Sequence, residues 1–108
     1  MRLPDLPFSV TDWPNVEPVA HPGDTGVAIW RTRQLGDIRV RLIEYSAGYA
    51  ADHWCAKGHV LFCVSGELVT HLEDGSAHVL RAGMSYDVGE GRRHRSSTPS
   101  GAVLFVVD

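Results

Sequence analysis

The chain has 108 residues, 44% of them hydrophobic and 21% charged, with a formal net charge of -3. That length suits one domain, and folding should bury roughly two-thirds of the surface an unfolded chain exposes. The acidic balance gives no nucleic-acid footprint, and no run reaches the roughly 18 apolar residues of a spanning helix, so neither nucleic acid nor membrane is expected as a partner. The opening residues Met1 to Asp5 lack a basic-then-apolar leader, and a cytoplasmic location is expected.

Residues 1–26 hold five of the six prolines, Pro4, Pro7, Pro14, Pro18 and Pro22. Proline lacks an amide hydrogen and restricts the residue before it, so this stretch is expected to run as an extended arm over the body. Phe8 and Trp13 are the side chains expected to pin it. Residues 27–108 read as a separate all-β domain, with strands expected near 27–34, 37–46, 59–65, 67–73, 76–81, 84–88, 93–97 and 102–107. Turn residues punctuate them: Gly36-Asp37, Ser65-Gly66-Glu67, Asp74-Gly75 and Ala82-Gly83. Apolar residues at helical spacing over ten or more residues are absent.

Alternation assigns faces. In Ile38-Arg39-Val40-Arg41-Leu42 the apolar set and the arginines fall on opposite sides, so Arg39 and Arg41 are expected on an outer or edge face. Ala102 to Val107 is apolar on both sides, which calls for a cover beyond the core: a second subunit or the Pro-rich arm.

Three of the six histidines, His53, His59 and His94, lie where turns bring separate segments together, and Cys55 shares the parity of His53. Two cysteines are too few for a disulfide scaffold, so thiols or ligands are the expected state. Cys63, inside Val60-Leu61-Phe62-Cys63-Val64, reads as an inert core thiol. Arg92, Arg93 and Arg95 crowd around His94 as a solvated rim or as a contact for an anionic ligand. Tyr45, Tyr49, Trp54 and Tyr86 suit a pocket mouth or ordinary packing.

These residues resemble the two motifs of the cupin superfamily. Gly48, His53, Cys55, His59 and Gly66 follow the first motif, with its first gap one residue short; Cys55 stands for a histidine and His59 for a glutamate. Gly83, Gly89, Gly91, His94 and Thr98 follow the second motif, with His94 where that family has its last metal ligand. Asp52-His53-Trp54-Cys55 is also similar to a group of small bacterial cupins named for an Asp-His-Cys-Trp cluster, although here Trp precedes Cys.

The resemblance implies a jelly-roll β-barrel of two antiparallel sheets, often a homodimer, with one divalent transition metal bound by His53, Cys55, His59 and His94. Imidazole with thiolate favours Zn, Fe or Ni over hard cations. The implied function is metal binding, with oxidoreductase or isomerase chemistry on a small oxygenated substrate. The alternative is a non-catalytic ligand- or metal-sensing module whose metal sphere Cys55 closes. The fold hosts many reactions, so the substrate is not implied.

Overall fold

The computed structural model describes Leu3 and residues 5–108. Met1, Arg2 and Pro4 of the expected arm lie outside the described residues. A 3-10 turn at Trp13–Asn15 precedes eight strands: β1 (Val19–Pro22), β2 (Val27–Leu35), β3 (Ile38–Tyr45), β4 (His59–Leu72), β5 (Ala77–Arg81), β6 (Ser85–Val88), β7 (His94–Ser97) and β8 (Ala102–Val107). All pairs are antiparallel and run β1-β2-β3-β8-β4-β5. β6 lies against the first half of β4 and β7 against its second half, so β4 belongs to two sheets that together form the jelly-roll barrel.

Two expectations change. The break expected at Ser65-Gly66-Glu67 is a bend inside one long strand, where the β4–β8 register shifts between Cys63 and Ser65. Gly66 permits it: its φ is +78°, and a Cβ there would stand 2.1 Å from the Gly101 carbonyl oxygen. The arm, too, is more than a cover. Residues 19–22 pair with β2 as an edge strand, so hydrogen bonds cross the boundary expected at residue 26. Pro22 is tolerated there because an edge strand need not donate on its free side.

The expected Asp74-Gly75 hairpin is present, with the Asp74 carboxylate accepting from the Ser76 backbone N–H at 2.8 Å. Leu68, Leu104, Val106 and Cys63 are fully buried between the sheets. Each such aliphatic side chain contributes about 1.5–3 kcal/mol by leaving water.

The arm clothes the outside of β2 and β8. Arg31 Nε donates to the Val16 carbonyl at 3.2 Å and Arg33 Nη1 to Thr11 Oγ1 at 3.1 Å. Trp13 packs edge-on against Phe105 with ring centroids 5.9 Å apart, giving β8 the second cover its sequence required. Phe8, expected to help, is 94% exposed and pins nothing. Beside this cover Val60, Phe62 and Val64 leave an exposed apolar strip on β4. No helix among the described residues is long and apolar enough to cross a membrane.

Candidate functional site

The site forms where the first residues of β4 and β7 meet the segment that follows β3. Cys55 and His94 exchange both backbone hydrogen bonds, at 2.8 and 2.9 Å. Directly opposed residues of an antiparallel pair project to one face, so Cys55 Sγ and the His94 ring share a side. His59 opens β4, and its ring meets that of His94 edge-on with centroids 4.8 Å apart. The four expected ligands His53, Cys55, His59 and His94 all line one cavity of about 250 Å³.

They line it unequally. His94 is 2% exposed. Its Nδ1 donates to the Arg92 carbonyl at 2.8 Å, which leaves Nε2 buried with no partner. His59 Nε2 lies 2.9 Å from the Tyr86 hydroxyl, and its Nδ1 is likewise buried and unpartnered. Burial, reinforced by the charges of His94 and Arg41, pushes the His59 imidazole down to about 4, so its neutral form prevails near neutral pH. His53 stands at the mouth, its side chain 74% exposed and its Nδ1 2.6 Å from the Asp52 carboxylate. Among the described residues no group of three His, Cys, Asp or Glu side chains stands ready to hold a metal.

The opposite wall comes from β3 and corrects the sequence expectation. Arg39 and Arg41 do not decorate the outside; they line the cavity, and Arg41 is only 6% exposed. The alternation was as expected, but the arginine parity is the inward one, shared with Ile43 and Tyr45. Both guanidiniums bond the Asp108 carboxylate, Arg39 through Nε at 2.9 Å and Nη2 at 2.8 Å, Arg41 through Nη2 at 3.1 Å. Arg41 also lies over the Trp30 ring, 4.5 Å from its centroid. Burial lowers the Arg41 guanidinium from its ordinary value, Arg39 adds to this and Asp108 opposes it. Tyr45 stacks on Tyr49 at 4.2 Å, and burial pushes its hydroxyl up to about 12.

No protein-family model matches the chain, and no curated protein matches it in sequence. Solved structures do. It is similar to an RmlC-like cupin from Shewanella frigidimarina, with a TM-score of 0.72 at 21% identity over 94% of this chain and 90% of that one. A cupin domain from Bordetella pertussis gives 0.62 at 22% identity, over 81% of this chain and 93% of that one. The EutQ protein of Clostridium difficile gives 0.72 at 13% identity, over 91% and 83%. The fold is that of a cupin.

Within this cupin fold the remaining candidates separate cleanly. Tyr45, Tyr49 and Tyr86 line the cavity, whereas Trp54 lies on a different depression. Arg95 reaches the cavity but donates to the Ala51 carbonyl at 2.7 Å and the Asp24 carboxylate at 2.6 Å. Arg92 and Arg93 are exposed and line another hollow. Cys63 is fully buried, both cysteines are free thiols, and burial pushes the Cys63 thiol up. His21 packs at a tilt against Trp30, with ring centroids 4.0 Å apart, while His71 and His78 are exposed. The residues that sequence reasoning left out of the site are Arg39, Arg41, Lys57 and Asp108. A signal existed for the arginines, because they share strand parity with Ile43 and Tyr45.

Proposed function

We propose that this chain is a small metal-binding cupin whose cavity presents a small oxygenated ligand to a divalent transition metal. The observation that carries the reading is the pair of buried, unpartnered ring nitrogens, His59 Nδ1 and His94 Nε2, on rings that meet edge-on with centroids 4.8 Å apart. A buried polar atom without a partner costs about 1–3 kcal/mol, and a cation drawing on both lone pairs offsets that cost. The Arg92 carbonyl orients His94 in the manner of the outer partner that a metal-bound imidazole commonly has.

In this reading His59 and His94 would hold the metal, with Cys55 the next donor to hand. This nitrogen and sulfur set suits Zn, Fe or Ni. Such a metal supplies a Lewis acid that polarises an oxygen or acidifies a bound water. His53 joins the set only if its ring leaves Asp52 and turns inward. With positions left open, oxidoreductase or isomerase chemistry is supported. The same-face placement of Cys55 and His94 favours a second reading, a sensing module in which thiolate closes the sphere.

The test is metal content after loading with Zn, Fe or Ni, measured on the natural chain and on His59→Ala, His94→Ala and His53→Ala. Stoichiometric metal, lost in the first two variants, is expected. Failure of the natural chain to retain any of the three metals overturns the reading. A thiolate charge-transfer band in the Co(II) form, absent in Cys55→Ser, assigns the chain to the closed, sensing reading.

A further inference from the structure

The cavity carries positive charge that neither the barrel nor a metal explains. Arg39, Arg41, Lys57 and Arg95 all line it, and no Asp or Glu does. The Arg95 guanidinium is engaged by Asp24. The three remaining cations have one carboxylate between them, that of Asp108, whose side chain is 1% exposed and is shared by Arg39 and Arg41. Arg41 is buried, yet it donates only through Nη2, and its Nε has no partner. A buried guanidinium N–H without an acceptor is costly, more so than a neutral one, and an anionic acceptor relieves it. A metal at His59 and His94 adds positive charge and makes this imbalance larger.

The rest of the wall limits what the anion can be. Ile43, Leu61 and Val106 give the cavity apolar sides, and the stacked Tyr45 and Tyr49 add a flat one. Its volume, about 250 Å³, falls below the roughly 300–1,000 Å³ of sites for drug-sized molecules. We propose that the cavity binds a small organic carboxylate, its anionic end drawn to Arg41 and Lys57 and its apolar body against Ile43 and the tyrosines. A guanidinium fork matches a carboxylate in shape as well as charge. Inorganic phosphate matches the charge but leaves the apolar walls unused. This inference rests on the reading of the cavity as a ligand chamber, and names the class of ligand it takes.

The experiment is calorimetric titration of chelator-treated protein with benzoate and butyrate, each compared with its neutral alcohol and with inorganic phosphate. At least one carboxylate is expected to bind about tenfold or more tighter than its alcohol, one decade being about 1.4 kcal/mol, and tighter than phosphate. Lys57→Met removes an exposed side chain without touching the core and is expected to weaken carboxylate binding several-fold while leaving the alcohol unchanged. Arg41→Met is expected to weaken it further, and its far-UV spectrum reports whether the barrel survives the loss of a partner for Asp108. Equal affinity for acid and alcohol, equal affinity for phosphate, no binding of either acid, or an unaltered Lys57→Met variant each overturns the proposal. Binding that appears only after metal loading assigns the anion to the metal and also overturns it. Metal retention, measured separately on the same protein, judges the metal centre independently.

Discussion

Arg39 clasps both carboxylate oxygens of Asp108, a residue 69 positions away in sequence, while Arg41 takes the same carboxylate from its buried side. The clasp joins the inner face of β3 to the residue that follows β8. It allows one guanidinium to sit almost wholly inside a barrel that otherwise packs apolar side chains.

Acid should therefore weaken the fold. Burial alone raises the Asp108 carboxyl, but the Arg39 hydrogen bonds and the charges of Arg41 and Arg39 outweigh it, and the group rests below its ordinary value. A carboxyl lowered by folding stabilises in full above its unfolded value, about 3.9, and the contribution is lost as pH falls through the lowered value. Urea unfolding should show a decline below about pH 4 in the natural chain and a flatter response there in Asp108→Asn. At neutral pH, Asp108→Asn should cost roughly 3–5 kcal/mol, because the buried Arg41 loses its counter-charge.

Gly66 and Gly75 both adopt positive φ, +78° and +88°, but only Gly66 is crowded. Gly75→Ala should cost about 1–2 kcal/mol for the left-handed backbone alone. Gly66→Ala adds a collision with the Gly101 carbonyl and should cost about twice as much or more. Thermal melts of the two variants check the ordering, and similar losses would mean that β4 tolerates displacement at its bend.

Trp13 and Phe8 lie close in sequence and differ in work done. Trp13→Ala should lose about 1–2 kcal/mol by removing an edge-on aromatic contact and uncovering Phe105. Phe8→Ala should stay within about 0.5 kcal/mol, as exposed substitutions usually do. Chemical denaturation of both variants separates them.

Much of the fold is legible in the sequence because turns are local chemistry. Asp74-Gly75 announces its hairpin, and most strand spans follow from punctuation and β-rich composition. The inside of β3 is not legible in the same way. Alternation shows that its two faces differ, while the choice between them depends on Asp108, the residue after β8, whose carboxylate holds both arginines at the cavity. Gly66 can end a strand or bend it, and the Gly101 carbonyl that decides the matter arrives from another strand. In the candidate site, the resemblance to the cupin motifs implied that His53, Cys55, His59 and His94 meet, but it does not distinguish a rim position such as that of His53 from the interior positions of His59 and His94.

A metal held by His59 and His94 should be visible in stability as well as in content. At a hundredfold excess over the dissociation constant, binding to the native state adds about 2.7 kcal/mol, roughly 10–20 °C in melting temperature for a domain of this size. Scanning calorimetry should show that rise on zinc addition and its loss with chelator. His59→Ala and His94→Ala should abolish it, whereas His53→Ala should keep it.

The passage of β4 through the corner at Gly66 bears on how the molecule comes apart. One strand there is hydrogen-bonded to β8 and β6 on its first half and to β5 and β7 on its second. Losing it leaves β5, β6 and β7 without the strand they pair with and bares one edge of β8, so both sheets are disturbed together. Cooperativity is thus written into the length of a single strand, and an agent that frees either end of that strand loosens the whole vessel.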